Sequence, residues 1–393
     1  MDFNYSREDQ AFRTQFRKWL ERNRDAAVPA LGPLADEEES DWGATLRWHR
    51  KLYEGGWLGI TWPREYGGRG GTLTQEIICE QELEAIGSGM PFTGPGIWLL
   101  GPTLIHWGAE EQKRQHLQKV LSGEEIWCQG YSEPNAGSDL AAIQTRAVQT
   151  GDDFIINGSK IWTSMAHHAH WMFLLARTDT DAPKHKSLSY ILVDMKTPGI
   201  TITPLVQMTG ARHFNQVFLE DVRVPVKNLV GGKNQGWQVA LTTLAFERSS
   251  GQERIMTQRV RELARLAQRL VRDDASLWDD SAVRNTIGQF ATEAAAIRYT
   301  GFRQLTRQLK GLPPGPEGSM IKLSASELGL KIAAFAMELL GSYAQLERAD
   351  GLAIDHGIWM RRMLEARGPM IYSGANEIQR NVLGERVLGL PKG

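Results

Sequence analysis

Cysteine is nearly absent. Cys79 and Cys128 are the only two in 393 residues and stand far apart, which excludes a disulfide framework and fits a reducing compartment. An excess of charge of either sign is also missing. Forty-five Lys and Arg against 46 Asp and Glu leave a net charge of −1, so nothing global points to nucleic acid or an acidic membrane, and any anion site must be local. No apolar run approaches a membrane span, and the opening residues MDFNYSRED carry charges where a signal peptide needs an apolar stretch. A soluble, cytoplasmic protein is the expectation. Internal repeats and low-complexity tracts are lacking too. What remains is an ordinary globular composition, 41% apolar, over a length that allows two or three domains.

Along the chain the hydrophobic period changes twice. Phe12, Phe16, Trp19 and Leu20 share one helical face over residues 6–24, with Ser6 and Asp9 as a capping box. Further helices are expected from Asp41 to Gly55-Gly56, from Thr74 to Ile86, and from Ala109 to Leu121 before Ser122-Gly123. The acidic run from Asp36 to Asp41 reads as a solvated connection. From Ile126 short β-rich runs alternate with turns, and Asn157-Gly158 is the signature of a two-residue hairpin turn. Residues 179–186 read as an exposed loop. Beyond Gly236 the helical period returns, with Val260, Leu263, Ala267 and Leu270 in one seam and helices expected over 281–310, 318–346 and 352–364; Leu312-Pro313-Pro314-Gly315-Pro316 breaks two of them. The fold class is therefore α+β: an N-terminal helical domain (1–125), a central β domain (126–235) and a C-terminal helical bundle (236–393).

The stretch from Gln129 to Trp171 carries the chemistry. It reads QGYSEPNAGSDL, a strand region, then SKIWTSMAHHAHW. Small residues let backbone amides approach an anionic group, Ser132 and Ser138 can donate hydrogen bonds, and Trp162 offers a flat apolar face. Taken singly, these features fit turn chemistry and a core tryptophan equally well. His167, His168 and His170 fall within four residues with no companion Cys or acidic pair at a metal-ligand spacing, so no metal is expected.

GYSEPNAGSD followed by NGSKIWTS resembles the paired signature of the acyl-CoA dehydrogenase family. LGITWPREYGG (58–68), GAEEQKRQHLQKVLSGE (108–124), LEDVRVPVKNLVG (219–231) and IYSGANEIQR (371–380) follow in the family's order. The resemblance implies an FAD enzyme that takes a proton from Cα of an acyl-CoA thioester and passes a hydride from Cβ to the flavin, with electrons going on to an electron-transfer flavoprotein. It also implies the helix, β, helix layout. A carboxylate must reach Cα, and donors must hold the thioester oxygen as enolate charge develops.

In most members the carboxylate precedes the Gly of the C-terminal motif, where this chain has Ser373 before Gly374. Serine cannot be that base. A branch resembling isovaleryl-CoA and long-chain dehydrogenases places the acid on the first helix after the β domain, directly before an Arg; here that pair is Glu247-Arg248. Ala240, Thr243, Leu244, Ser250 and Gly251 share its helix face, an environment that raises a carboxyl pKa. On spacing alone Glu247 could equally be a solvated charge.

By resemblance the Ser373 backbone N–H is one oxyanion donor and the flavin ribityl hydroxyl the other, with Arg248 and Ser138 beside the substrate. The same resemblance assigns Tyr131, Ser132, Gly137, Ser138, Trp162, Thr163, Ser164, Gly341, Gly374, Asn376 and Glu377 to the flavin. Two departures stand out. The family's Arg-x-x-Phe-Gly, which clamps the flavin pyrophosphate from a neighbouring chain, is replaced by VRDDASLWDD (271–280), and Ala375 replaces the usual Thr. A homotetramer in which Arg269 or Arg272 serves as clamp is the expectation. The alternatives are a heteromer with a paralogous subunit, and a same-fold flavin oxidase or monooxygenase.

Overall fold

The computed structural model describes residues 5–28, 41–247, 252–312, 315–347 and 350–391, except the side chains of Glu247, Gln252 and Glu253. The acidic run 36–41, apart from Asp41, lies outside the described residues, as do Pro313 and Pro314. The chain divides into two compact units, Met1–Phe246 and Glu247–Gly393.

In the first unit, helices α1 (Arg7–Asn23), α2 (Trp42–Glu54), α3 (Leu73–Ala85), α4 (Gly101–Trp107) and α5 (Glu110–Ser122) precede the sheet. Their starts are fixed by side-chain caps that satisfy otherwise orphaned N–H groups. Ser6 Oγ accepts from the Asp9 N–H at 3.1 Å, Asp41 Oδ1 from Ala44 at 2.9 Å, and Thr72 and Gln75 form a reciprocal box. Phe12, Phe16 and Leu20 are buried, as the seam predicts. Glu82 is also buried, and the guanidinium groups of Arg13 and Arg17 on α1 neutralise it. The sequence gives no period for α4, because it opens on Gly101-Pro102.

Strands β1 (Trp127–Gly130), β2 (Arg146–Thr150), β3 (Asp153–Ser164), β4 (Trp171–Arg177), β5 (Leu188–Asp194), β6 (Ile200–Leu205), β7 (Phe214–Pro225) and β8 (Leu229–Val230) form one sheet in the order β6-β7-β3-β2-β4-β5-β8, with β1 parallel to β4. Residues 184–186 form a 3-10 turn in the loop expected there. The hairpin expectation at Asn157-Gly158 is corrected here: β3 runs straight through that pair. The two-residue turn is Gly151-Asp152, since Thr150 pairs with Asp153. At Asn157-Gly158 the register against β7 shifts, and the Asn157 side chain exchanges two 2.9 Å hydrogen bonds with Asp221. Gly158 is needed because φ is 152° and a Cβ would lie 2.5 Å from Thr145 Oγ1. A bulge inside a strand paired on both sides demands the same residue types as a hairpin turn.

Helix α6 (Gly236–Glu247) carries the first unit to its end at Phe246, and its last residue, Glu247, opens the second. In the second, α7 (Gln252–Arg269), the short hairpin β9 (Val271–Arg272) and β10 (Ala275–Ser276), α8 (Ser281–Leu309), α9 (Glu317–Leu340), α10 (Ile358–Glu365) and α11 (Asn376–Asn381) follow. Val260, Leu263 and Ala267 pack with Ile287, Phe290, Leu328 and Ile332. The long helix expected to 346 stops at Leu340, where Gly341 takes φ 56° and ψ −128°. The next begins at Ile358 rather than near 352, because Asp355 and His356 occupy left-handed conformations.

His49 on α2 is fully buried, with Nε2 2.9 Å from the Leu121 carbonyl and Nδ1 2.9 Å from Thr93 Oγ1. Burial pushes its pKa down to about 4, against the pull of the Leu121 and Val120 carbonyls. The folded imidazole is therefore neutral where the unfolded one, at 6.5, takes a proton. Stability should fall as pH drops from 6.5 towards 4, by about 3 kcal/mol from this group. Urea-unfolding midpoints across that range should show the slope in the parent and a flatter one in His49→Gln.

Candidate functional site

The SEPNAGSD loop leaves the end of β1 and returns to β2 at Arg146. What fixes it is an ion pair inside the protein. Lys160 on β3 is fully buried, and its Nζ donates to Glu133 Oε1 at 2.8 Å and to the Tyr131 carbonyl at 3.1 Å. The Glu133 carboxylate also accepts the backbone N–H groups of Gln144 (2.6 Å) and Thr145 (2.9 Å). Burial pushes Lys160 down to about 8, against the attraction of Glu133. Burial also works against the Glu133 carboxylate, but the Lys160 charge and the hydrogen bonds from Lys160, Thr145 and Gln144 outweigh it and hold it below the usual range. Both groups are thus charged at neutral pH. One residue on, the Ile161 N–H donates to the Ser132 carbonyl at 2.9 Å.

The Trp-Thr-Ser step sits on a second irregularity of β3, where the register against β7 shifts between Lys160 and Thr163. Trp162 takes φ 60° and is 57% exposed, with its ring edge-on to Phe214. A bulky residue in the left-handed region persists only where its surroundings over-determine it, and such residues gather at ligand sites. Ser132 and Ser164 are half-buried, Tyr131 is buried edge-on to Phe173 and Tyr190, and Gly137 and Ser138 lie exposed on the loop. The structure thus joins the two segments through the Lys160 region. Neither Lys160 nor Glu133 was singled out from sequence, although Lys160 shares the inward parity of Phe154 and Ile156.

Helix α6 is anchored by hydroxyls. Trp107 Nε1 donates to Thr242 Oγ1 at 2.9 Å, and the Thr103 and Thr243 hydroxyls are 2.9 Å apart. Ala240 and Thr243 are fully buried, whereas Leu241 and Phe246 are exposed. Glu247, on the face of Ala240 and Thr243, is the last helical residue. Its side chain lies outside the described residues, as do Arg248, Ser250 and Gly251.

In the second unit the C-terminal motif forms a turn in which Ser373 (φ 54°) and Gly374 (φ 88°) are both left-handed. Gln379 Nε2 donates to both of their carbonyls, at 3.3 and 3.2 Å. Asn376 is buried, with Oδ1 accepting from Lys322 Nζ (2.9 Å) and Ser326 Oγ (3.0 Å) on α9. Glu377 and Gly341 are exposed. Of the two arginines suggested as clamps, Arg269 donates from Nη2 to both oxygens of Asp355 at 2.8 Å, so one arm of its guanidinium is engaged. Arg272 is exposed, 3.5 Å from the Leu339 carbonyl, and adjoins a hairpin tip of Asp273 and Asp274.

The three histidines have separate structural partners. His167 Nδ1 meets the Asn215 amide, His168 stacks on Trp42 at 4.2 Å, and His170 Nδ1 accepts the Ile126 N–H.

Three sequence profiles match in order: the acyl-CoA dehydrogenase N-terminal domain over residues 6–124, the middle domain over 128–222 and the C-terminal domain over 234–388. The chain belongs to the acyl-CoA dehydrogenase family. It is 36% identical to acyl-CoA dehydrogenase IpdE1 of Mycobacterium tuberculosis over 97% of each chain. Among solved structures, this acyl-CoA dehydrogenase is similar to the ChsE4-ChsE5 complex of Mycobacterium tuberculosis (TM-score 0.83, 28% identity) and to the Tcur3481-Tcur3483 steroid ACAD (TM-score 0.84, 28% identity), each covering 100% of both chains.

Members of the family are flavoproteins, and this dehydrogenase has groups that suit one. Thr163 Oγ1 in the first unit and Asn376 Nδ2 in the second are buried without an internal hydrogen-bond partner, and Trp162 offers an exposed ring face. In the first unit, the open Thr163 hydroxyl next in sequence to the exposed Trp162 ring fits a flat cofactor bearing oxygens and ring nitrogens. Among the described residues no helix is long and apolar enough to cross a membrane.

Removing Lys160 alone would leave Glu133 buried without its counter-charge. Lys160→Met should cost roughly 3–5 kcal/mol, and pairing it with Glu133→Gln should restore much of that loss. Urea unfolding of the single and double variants measures both. Equal losses would mean that charge compensation is not what holds the loop.

Proposed function

We propose that this acyl-CoA dehydrogenase performs FAD-dependent α,β-dehydrogenation of an acyl-CoA thioester to the trans-2-enoyl-CoA, with electrons passed to an electron-transfer flavoprotein. Glu247 removes the Cα proton. The backbone N–H of Ser373 receives the enolate oxygen, and Arg248 and Ser138 line the substrate. Tyr131, Ser132, Gly137, Ser138, Trp162, Thr163 and Ser164 in the first unit, and Gly341, Gly374, Asn376 and Glu377 in the second, would hold FAD. When bound, FAD supplies the acceptor for the β-hydride.

The observation that carries this reading is the pairing of a serine at 373 with an acid at the end of α6. The small side chain of Ser373 supplies no base, yet the turn keeps a strained backbone whose N–H groups do not depend on the side chain. Glu247 follows Thr243 by one helical turn, at the end of a helix whose Ala240 and Thr243 are buried. A carboxylate desolvated against a bound acyl chain is a stronger base near neutrality. The likeness to a steroid ACAD supports a bulky, ring-bearing acyl group, for which a small residue at 373 leaves room.

Glu247→Gln should keep the fold and the flavin spectrum while lowering kcat by about two to four orders of magnitude. Steady-state turnover with a panel of acyl-CoA thioesters is the test. Near-normal rates in the variant would remove Glu247 from the role of base.

For assembly we infer a homotetramer with one FAD per chain, in which Arg272 acts as the diphosphate clamp because one arm of Arg269 is engaged by Asp355. A heteromer with a paralogue is favoured instead by the two aspartates at the β9–β10 tip, which disfavour an anion beside Arg272, and by the two-component neighbours. Solution mass and FAD per protomer of the chain expressed alone decide. A colourless or half-loaded protein that fills only with a second polypeptide would establish the heteromer.

A further inference from the structure

A serine and a glycine at successive positive φ angles are an unusual construction for the end of a functional motif. The left-handed region costs a non-glycine residue roughly 1–2 kcal/mol, so Ser373 at φ 54° must be held there by its surroundings. Two sets of contacts do this. The carboxamide of Gln379, fully buried one turn into α11, donates to the carbonyls of both Ser373 and Gly374. Asn376, at the start of α11, is tied to α9 through the buried ammonium of Lys322 and the Ser326 hydroxyl. Both devices act on backbone orientation, the one property of this turn that a side-chain replacement at 373 leaves intact. Lys322 is 4% exposed and Ser326 6% exposed, so the tie from Asn376 to α9 is buried within the second unit.

We propose that Gln379 and Lys322 are positioning residues for the dehydrogenation, holding the Ser373–Gly374 peptides so that the Ser373 N–H meets the thioester oxygen as it gains charge. This rests on the reading of Ser373 as an oxyanion donor. A donor shifted by about 1 Å loses much of its effect on the transition state and little of its effect on substrate binding. Gln379 and Lys322 are therefore kcat residues rather than KM residues.

The test uses the FAD-loaded protein and two readouts. The first is kcat and KM for an acyl-CoA that the parent turns over. The second is the long-wavelength absorbance formed with a 3-thia-acyl-CoA, which can lose its α proton but is not dehydrogenated, so the band reports enolate stabilisation without turnover. Gln379→Leu should lower kcat roughly 10- to 100-fold with KM within about threefold of the parent, weaken the band, and leave FAD content unchanged. Lys322→Met should act in the same direction. If Gln379→Leu does not fold, Gln379→Met, of similar length, takes its place. Ser373→Gly in the Gln379→Leu background should recover part of the band, because glycine holds φ near +54° without strain.

Glu247→Gln serves as the control for the base. If it abolishes the band while Gln379→Leu keeps both band and kcat, the positioning role is overturned and the base stands. If Glu247→Gln keeps the band, the base assignment fails, and the Gln379 comparison still decides the positioning role. Loss of FAD, or a KM that rises in step with the fall in kcat, would mark Gln379 as merely structural and overturn the proposal.

Discussion

The ion pair between Lys160 and Glu133 is the contact on which the first unit's candidate site depends. It is one buried charge on β3 meeting one on the loop after β1, and it reaches three further backbone groups, the Tyr131 carbonyl and the Gln144 and Thr145 amides. Without Lys160 the buried Glu133 carboxylate would keep its two amides but lose its counter-charge, and without Glu133 the Gln144 and Thr145 amides would lose their acceptor and the ammonium its counter-charge. A buried pair of this kind is weak evidence for net stability, since a well-packed apolar pair could be as stable. Its value lies in geometry. Apolar side chains slide against one another, whereas an ammonium shared between a carboxylate and a carbonyl admits one register of loop against strand.

That register has consequences one and two residues further on. Because Lys160 is fixed inward, Ile161 is placed to donate to the Ser132 carbonyl, and the chain must then bulge to resume pairing at Thr163. The bulge turns Trp162 outward at φ 60°. The exposed ring, the half-buried Ser132 and Ser164, and the open Thr163 hydroxyl are thus products of one buried contact followed by one register shift. The C-terminal turn repeats the logic with different chemistry. There the strained residue is Ser373, and the over-determining contacts are amide and ammonium donors rather than an ion pair.

Much of this was legible in the sequence, and the failures have physical causes. Two helix starts were readable because caps are local chemistry: Ser6 and Asp41 each bond an amide three residues on, whereas the third helix, expected from Thr74, starts at Leu73 behind the cap Thr72. The α7 seam was readable because one face meets one core. Asn157-Gly158 misled because positive φ is demanded both by a hairpin turn and by a bulge, and only the partner strands on either side tell them apart. The early stop at Leu340 is a backbone event at Gly341 that apolar periodicity does not register. Of the site, the small and aromatic residues of the two motifs could be picked out by type, while Lys160 and Glu133 were not singled out, because burial is a property of the fold. Arg269 was a reasonable clamp by position; its engagement with Asp355, 86 residues away, is invisible to any local reading.

The proposed separation of backbone from side-chain function at 373 also accounts for the motif's departures. A base needs a carboxylate, but an oxyanion donor needs only a peptide N–H in the right place. When the two share a residue, that residue is constrained twice. On the proposed assignment, an acid at the end of α6 releases the side chain at 373 and leaves only the φ requirement, which serine meets at a modest cost with Gln379 and the Asn376–Lys322 contact holding the turn. Ala375 fits the same pattern. It precedes α11 without a capping side chain, so the turn relies on contacts from within α11 and from α9 rather than on a local cap. Such a turn is sensitive at buried positions distant in sequence and permissive at its own tip, the reverse of what the motif's appearance suggests.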